Sequence, residues 1–263
     1  KNPASIMAVT FTNKAAAEMR SRIEELLQAP IFDTWVGTFH GLAHKLLKRF
    51  HAEANLSSGF TILDSDDQLR IIKRIAKESG LDEATWPSRQ TQWQINSWKD
   101  DGLRHNDVDD KGDYTKETIN KIYKQYQDLC SRDNLVDFGE LLLRAYEVVK
   151  NNERVREFFH TRFQSILVDE FQDINYAQKC MLDQLLRGGA SLWVVGDDDQ
   201  AIYKWAGADV DSFIALKGQY LPLTQSYRIP AKVHNLAMGI INKIKNRIDK
   251  SWEPRISQGT IQR

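Results

Sequence analysis

Cysteine is scarce in this sequence. Only Cys130 and Cys180 are present, too few and too isolated for a disulfide framework or a cysteine-based zinc site, which favours a reducing compartment. No excess of either charge exists: Lys plus Arg and Asp plus Glu both number 36. A global electrostatic pull toward nucleic acid is thereby excluded, and any such partner must be held by a local surface. No apolar stretch of membrane-spanning length, signal-peptide pattern, internal repeat or low-complexity tract is found. An initiator Met is also lacking, and the first apolar run follows Lys1 almost at once, so a fragment of a longer protein is expected. What is present, 41% hydrophobic and 27% charged residues over 263 positions, suits a globular chain of one large or two modest domains.

The most informative stretch is Ile166-Leu-Val-Asp-Glu-Phe-Gln-Asp173. Ile166, Leu167 and Val168 read as a strand buried on both faces of a parallel sheet, and the acids follow where that strand stops. Ligands of open α/β sheets bind beyond the carboxyl ends of the strands. Asp169 and Glu170 therefore suit a metal-bound phosphate and an attacking water. Taken alone, the stretch reads first as a strand that ends in a solvated acidic loop.

Three more segments repeat the pattern. Ile6 to Phe11 reads as a buried strand, followed by turn and cap residues Thr12 and Asn13 and a helix from Ala15 to Leu27. Phe11, Thr12, Asn13 and Lys14 suit a nucleobase and its phosphate, or else Phe11 is core and Lys14 solvated. Trp35-Val-Gly-Thr-Phe-His40 is a short strand ending in Thr38, Phe39 and His40, with a helix through Leu42, Leu46, Leu47 and Phe50. His40 and His44 have metal-ligand spacing but no nearby acid or thiol to complete a shell, so His40 is read as a nucleic-acid contact or a helix cap. Leu192 to Val195 forms a fourth strand, ending at Gly196-Asp-Asp-Asp-Gln200, where Gly196 permits a tight turn and the Gln200 amide can sense a phosphate. Tyr203 and Trp205 then offer rings for base stacking.

From about Leu56 to Arg162 the pattern is one of amphipathic helices with no further short apolar strand. Ser65-Asp-Asp-Gln68 reads as a capping box for a helix closing at Gly80. Ile119 to Leu129 and Phe138 to Val149 mark two more helices, residues 100–113 a loop, and Trp86, Trp93 and Trp98 core positions. After Ala231 a helical pattern runs to Ile248, and residues 231–263 carry seven Lys or Arg against two Asp or Glu. This basic end is either a phosphate contact or a solvated face. Without partner strands, the segment is expected to pack poorly or to cover apolar surface on the first domain.

Five ordered stretches together resemble one family: Ala8-Val-Thr-Phe-Thr-Asn-Lys-Ala-Ala-Ala-Glu-Met19, Val36-Gly-Thr-Phe-His40, Leu167-Val-Asp-Glu-Phe-Gln-Asp173, Val195-Gly-Asp-Asp-Asp-Gln-Ala-Ile-Tyr203 and Leu223-Thr-Gln-Ser-Tyr-Arg228. They are similar to the motifs of UvrD/Rep-type superfamily 1 DNA helicases, as is Asn134-Leu-Val-Asp-Phe138. The resemblance implies an α/β fold, a RecA-like parallel sheet of the P-loop NTPase kind flanked by helices, with an all-helical insertion. Residues 1–40 and 163–220 would form the first motor domain, 41–162 the insertion, and 221–263 the start of a second motor domain. ATP and Mg²⁺ are the implied cofactors, with Asp169 and Glu170 at the metal and Glu170 as catalytic base. Gln200 would contact the γ-phosphate, Tyr227 would pack on adenine, and Arg228 would reach the γ-phosphate. Phe11, Thr12, Asn13, Thr38, His40, Tyr203 and Trp205 would line a single-stranded DNA path.

The implied protein translocates 3′ to 5′ and unwinds junctions between single and double strands in repair or replication. It would be cytoplasmic, on the nucleoid when bound to DNA, with no membrane partner. Departures from the family are also visible. No Gly-x-x-x-x-Gly-Lys-Ser/Thr phosphate loop occurs, so this chain alone is expected to hydrolyse no ATP. Trp205-Ala206-Gly207 stands where Trp-Arg-Gly is usual, and Ser226 stands where Asn is usual. The alternative is a non-catalytic module for single-stranded DNA or protein interaction built on the same fold.

Overall fold

Short runs of β-branched and aromatic residues between polar turns favour strands, and apolar residues three and four apart favour helices that pack on them. The computed structural model describes residues 2–31, 33–204 and 207–256. In chain order these form β1 (Ile6–Thr10), α1 (Asn13–Leu27), β2 (Trp35–Thr38), α2 (Phe39–Arg49), β3 (Thr61–Ile62), α3 (Ser65–Glu78), α4 (Ser88–Asp100), α5 (Tyr114–Asp133), β4 (Leu135–Val136), α6 (Phe138–Asn151), α7 (Glu153–Arg162) and β5 (Ser165–Val168). There follow α8 (Tyr176–Leu186), β6 (Ser191–Val194), α9 (Val210–Ile214), β7 (Gln225–Pro230), α10 (Ala231–Ile241) and β8 (Glu253–Ile256).

The main sheet is parallel, in the order β2-β1-β5-β6. Val9 is level with Val168, and Val168 with Val194. The strands therefore end in one row, at Thr10, Thr38, Val168 and Val194. Met7, Val9, Trp35, Ile166 and Val168 point into a core shared with Leu42 and Leu46 of α2, Leu141 and Leu142 of α6, Phe159 of α7 and Met181 of α8. On the opposite face α1 packs over β1 and β2, but Leu167, Trp193 and Val195 are exposed. The expected burial of β5 on both faces therefore fails at Leu167, because no described element lies over β5 and β6 there.

A second core joins α3, α4 and α5 through Ile72, Ile75, Ile95, Trp98, Ile122 and Tyr126. Three expectations in this block are corrected. Asp64, not Ser65, caps α3, its carboxylate accepting from the Asp67 amide, while Gln68 turns inward to bond Asn96 and Gln92. Trp98 is core, but Trp93 sits on the outer side of α4, 59% exposed. The block also contains strands: β3 and β4 pair in parallel over two residues each, too short to show as an apolar run.

The terminal segment differs from expectation as well. Its helix, α10, ends at Ile241, and β7 does have a partner, β8. Expected helix beyond that point is turn, and Arg247 and Lys250 lie in it. No helix among the described residues is long and apolar enough to cross a membrane.

Candidate active site

Asp169 follows the last residue of β5. Its amide donates to the Val9 carbonyl (2.8 Å), which continues the sheet by one bond, and the Thr10 hydroxyl donates to Asp169 Oδ2 (3.2 Å). Glu170 then adopts φ +52°, a left-handed conformation that costs a non-glycine residue of order 1–3 kcal/mol and so tends to persist at functional sites. This turn starts a short 3₁₀ segment, Phe171–Asp173, whose Phe171 ring anchors in the core.

Gln172, which no sequence pattern singled out, is 1% exposed and joins two strand ends. Its amide nitrogen donates to Glu170 Oε2 (2.8 Å), and its oxygen accepts from the Asp197 amide (3.0 Å). A Cβ at Gly196 would come within 2.7 Å of that oxygen. Gly196 is thus required by close approach to Gln172 rather than by a special turn conformation. On the far side, Gln200 Nε2 donates to Asp197 Oδ2 (2.8 Å). Glu170, Gln172, Asp197 and Gln200 form one hydrogen-bonded series across the ends of β5 and β6.

No Lys or Arg among the described residues pairs with Asp169 or Glu170. Among the described residues no three His, Cys, Asp or Glu side chains converge there as a metal shell. The donors present, the Asp169 and Glu170 carboxylates beside the Thr10 hydroxyl, are hard oxygens. They fit Mg²⁺, which commonly takes one or two carboxylates and completes its shell with phosphate oxygens and water. Beside them, Asp173 is raised above the usual carboxylate range by burial and by the charge of Glu170.

The aromatic and hydroxyl positions lie along the same row. Phe11, 40% exposed, meets the Tyr203 ring at 5.1 Å and 32°. The Thr12 and Thr38 hydroxyls are the N-caps of α1 and α2, accepting from the Ala15 and Gly41 amides (both 3.1 Å). Both therefore have a structural task, and His40 is not the cap. The His40 ring instead packs edge-on against Phe138 at 5.9 Å, and burial lowers its pKa. A groove of about 510 Å³ between α1 and α2 is lined by Asn13, Arg20, Thr38 and Lys45, and so lies beside the carboxylates rather than over them. Arg20 donates to the Val36 carbonyl and Lys45 to Asp33 and the Thr34 carbonyl, so the groove's two cations are already held. Trp205 lies outside the described residues.

Tyr227 and Arg228 lie on β7. Tyr227 is 63% exposed, with its hydroxyl on Gln225 and Arg255 over its ring at 5.1 Å. Arg228 is exposed and forms no ion pair among the described residues with Asp169 or Glu170. The structure thus brings together the positions on β1, β5 and β6 and leaves those on β7 apart from them.

The chain is similar to known DNA helicases. Over 254 residues, 95% of this chain, it is 46% identical to DNA helicase II of Escherichia coli. It is 45% identical to DNA helicase II of Haemophilus influenzae over 255 residues, and 34% identical to the ATP-dependent DNA helicase PcrA of Bacillus subtilis over 255. It spans about a third of the length of these relatives, 35% for the first two and 34% for the third. Residues 1–221 match the UvrD/REP helicase N-terminal domain, and the chain belongs to that family.

Proposed function

We propose that the full-length protein carrying this chain is an ATP-dependent DNA helicase that moves 3′ to 5′ along single-stranded DNA and opens junctions with duplex, in repair or replication. The observation that carries this reading is the pairing of Asp169 and Glu170, which no Lys or Arg among the described residues neutralises, with a hydrogen-bonded series that reaches Gln200 across two strand ends. Asp169, with Glu170 beside it, would hold Mg²⁺, which neutralises charge on the phosphates. Glu170, turned out by its left-handed backbone, accepts the proton of the attacking water. Gln200 senses the γ-phosphate and passes its state through Asp197 and Gln172 back to Glu170.

Phe11, Asn13, Thr38, His40, Tyr203 and Trp205 form the DNA path, with Thr12 shaping it as a cap. Tyr227 packs on adenine and Arg228 reaches the γ-phosphate when the unit of β7, α10 and β8 swings in. The first motor domain comprises 1–40 and 163–220, the insertion 41–162, and the second motor domain begins at 221. Within the insertion, α2, α6 and α7 share the core of the motor sheet, and α3 to α5 have a separate core of their own. Among the described residues β6 is an edge strand with Trp193 exposed, and a further parallel strand bearing the phosphate loop would pair there. The working place is cytoplasmic, on the nucleoid.

Unwinding by the full-length protein tests this reading. ATP and Mg²⁺ should drive opening of a duplex with a 3′ single-stranded tail, and a 5′-tailed duplex should stay closed. Equal opening without ATP, or of the 5′-tailed duplex alone, overturns it.

A further inference from the structure

Three successive carboxylates at the end of β6 repel one another and need compensation. It comes from the turn between α10 and β8, about fifty residues away in sequence. Arg247 donates twice to Asp199, Nε to Oδ1 at 2.9 Å and Nη2 to Oδ2 at 2.7 Å. Lys250 Nζ lies 2.6 Å from Asp197 Oδ1 and 3.2 Å from Asp199 Oδ2, and it also bonds Asp198. The Ile248 amide donates to Asp198 Oδ2 (2.8 Å), and Asn246 Nδ2 to Asp211 Oδ1 (2.7 Å).

These are not solvated surface pairs of little worth. The Asp198 and Asp199 side chains are 2% and 6% exposed, and those of Arg247 and Lys250 both 14%. A two-point guanidinium–carboxylate contact also sets orientation, which a single point charge does not. Burial works against charge on both Asp197 and Lys250. Their mutual contact prevails, aided at Asp197 by Gln200, lowering the pKa of the acid and raising that of the lysine.

Asp197 is shared. It receives Lys250 on one oxygen and the Gln200 amide on the other, while its own backbone amide holds Gln172, which holds Glu170. A continuous polar path therefore runs from the unit that carries Tyr227 and Arg228 to both strand ends of the site. Resting on the helicase reading above, we propose that Lys250 and Arg247 are positioning residues: they latch the β7–β8 unit onto the Asp197–Asp199 loop and, through Asp197, set the amide of Gln200. Opening of the latch frees the loop, so the movement of the second unit and the state of Gln200 change together. Such coupling residues, without contact to either ligand, shift activity by amounts of order tenfold.

The full-length protein tests this with two readouts. Lys250→Met and Arg247→Asp should each lower kcat of DNA-stimulated ATP hydrolysis about tenfold while KM for ATP changes by less than about twofold. The reversed pair Asp199→Arg with Arg247→Asp should recover most of the kcat lost in Arg247→Asp alone. Without nucleotide, protease cleavage within residues 242–256 should quicken in both single variants and slow again in the reversed pair. Wild-type kcat in Lys250→Met overturns the positioning role even if cleavage quickens, and a reversed pair no better than Arg247→Asp in either readout overturns the pairing. A wild-type protein without DNA-stimulated hydrolysis overturns the helicase reading and the positioning role with it, which the cleavage pattern distinguishes from failure of the latch itself.

Discussion

Around Lys99 the carboxylates of Asp137 and Glu140 are packed against cations, whereas at the end of β5 no Lys or Arg among the described residues pairs with Asp169 or Glu170. Lys99 is fully buried, 2.6 Å from Asp137 and 3.2 Å from Glu140. Arg104 and Arg144 each reach Glu140 at 2.7 Å, and the Tyr126 hydroxyl donates to Asp137 at 2.7 Å. Burial works against the charge of Glu140, but the three cations outweigh it and hold its carboxyl well below the usual range. The acids of this cluster are already engaged by cations and hydrogen-bond donors. Asp137 even serves as the N-cap of α6 through the Glu140 amide. Asp169 and Glu170 are instead held by Thr10 and Gln172, neutral donors that orient a carboxylate without cancelling its charge. The difference separates scaffold from site: neutralised acids lock α4 to α6, and acids oriented but not neutralised remain able to bind a cation.

This contrast can be broken first at Lys99. Lys99→Met removes one cation and leaves buried acids undercompensated, so urea unfolding should show a loss of about 3–5 kcal/mol. A loss below about 1 kcal/mol would show the cluster to be no more than a surface network. Asp100 gives a smaller effect and sharpens the boundary. It ends α4 next to Lys99 and accepts from Asn175 Nδ2 at 2.8 Å, just beyond the strand-end acids. Burial, with the charges of Asp101 and Asp137, pushes its pKa up to about 7. The folded state therefore holds a proton that the unfolded state releases near pH 4. The stability this group contributes is complete below the unfolded value and is lost as pH rises through about 7. Asp100→Asn cannot ionise. Between pH 5 and 8 it should lose about 2 kcal/mol less stability than the wild type, and identical slopes would place Asp100 outside the buried network.

Much of this architecture was legible in sequence. Ile6, Trp35, Ile166 and Leu192 all fall within strands of the main sheet, and Thr12 caps α1 as expected, whereas α2 is capped by Thr38 and not by His40. These signals are local, because period, cap and turn chemistry act within a few residues. What stayed hidden depends on tertiary partners. Gln172 looks like any polar residue of an acidic loop until Gly196 approaches it. Lys99 carries no local signal that Asp137 and Glu140, about forty residues on, close over it. The residues 231–263 read as a basic helix and tail, yet Arg247 and Lys250 find the acids at 197–199. Leu167 errs the other way, since an apolar run reports that a strand can be buried and not that something covers it.

Hydrolysis by Glu170→Gln in the full-length protein tests the central claim most directly. The substitution keeps the hydrogen-bonding reach of the side chain and removes its charge and basicity. The expected result is a fall of at least about a hundredfold in DNA-stimulated kcat, with ATP binding and thermal stability unchanged, because Glu170 bears on the reaction and not on the fold. Wild-type turnover in a folded, ATP-binding Glu170→Gln protein would contradict the account and return the end of β5 to a solvated acidic loop.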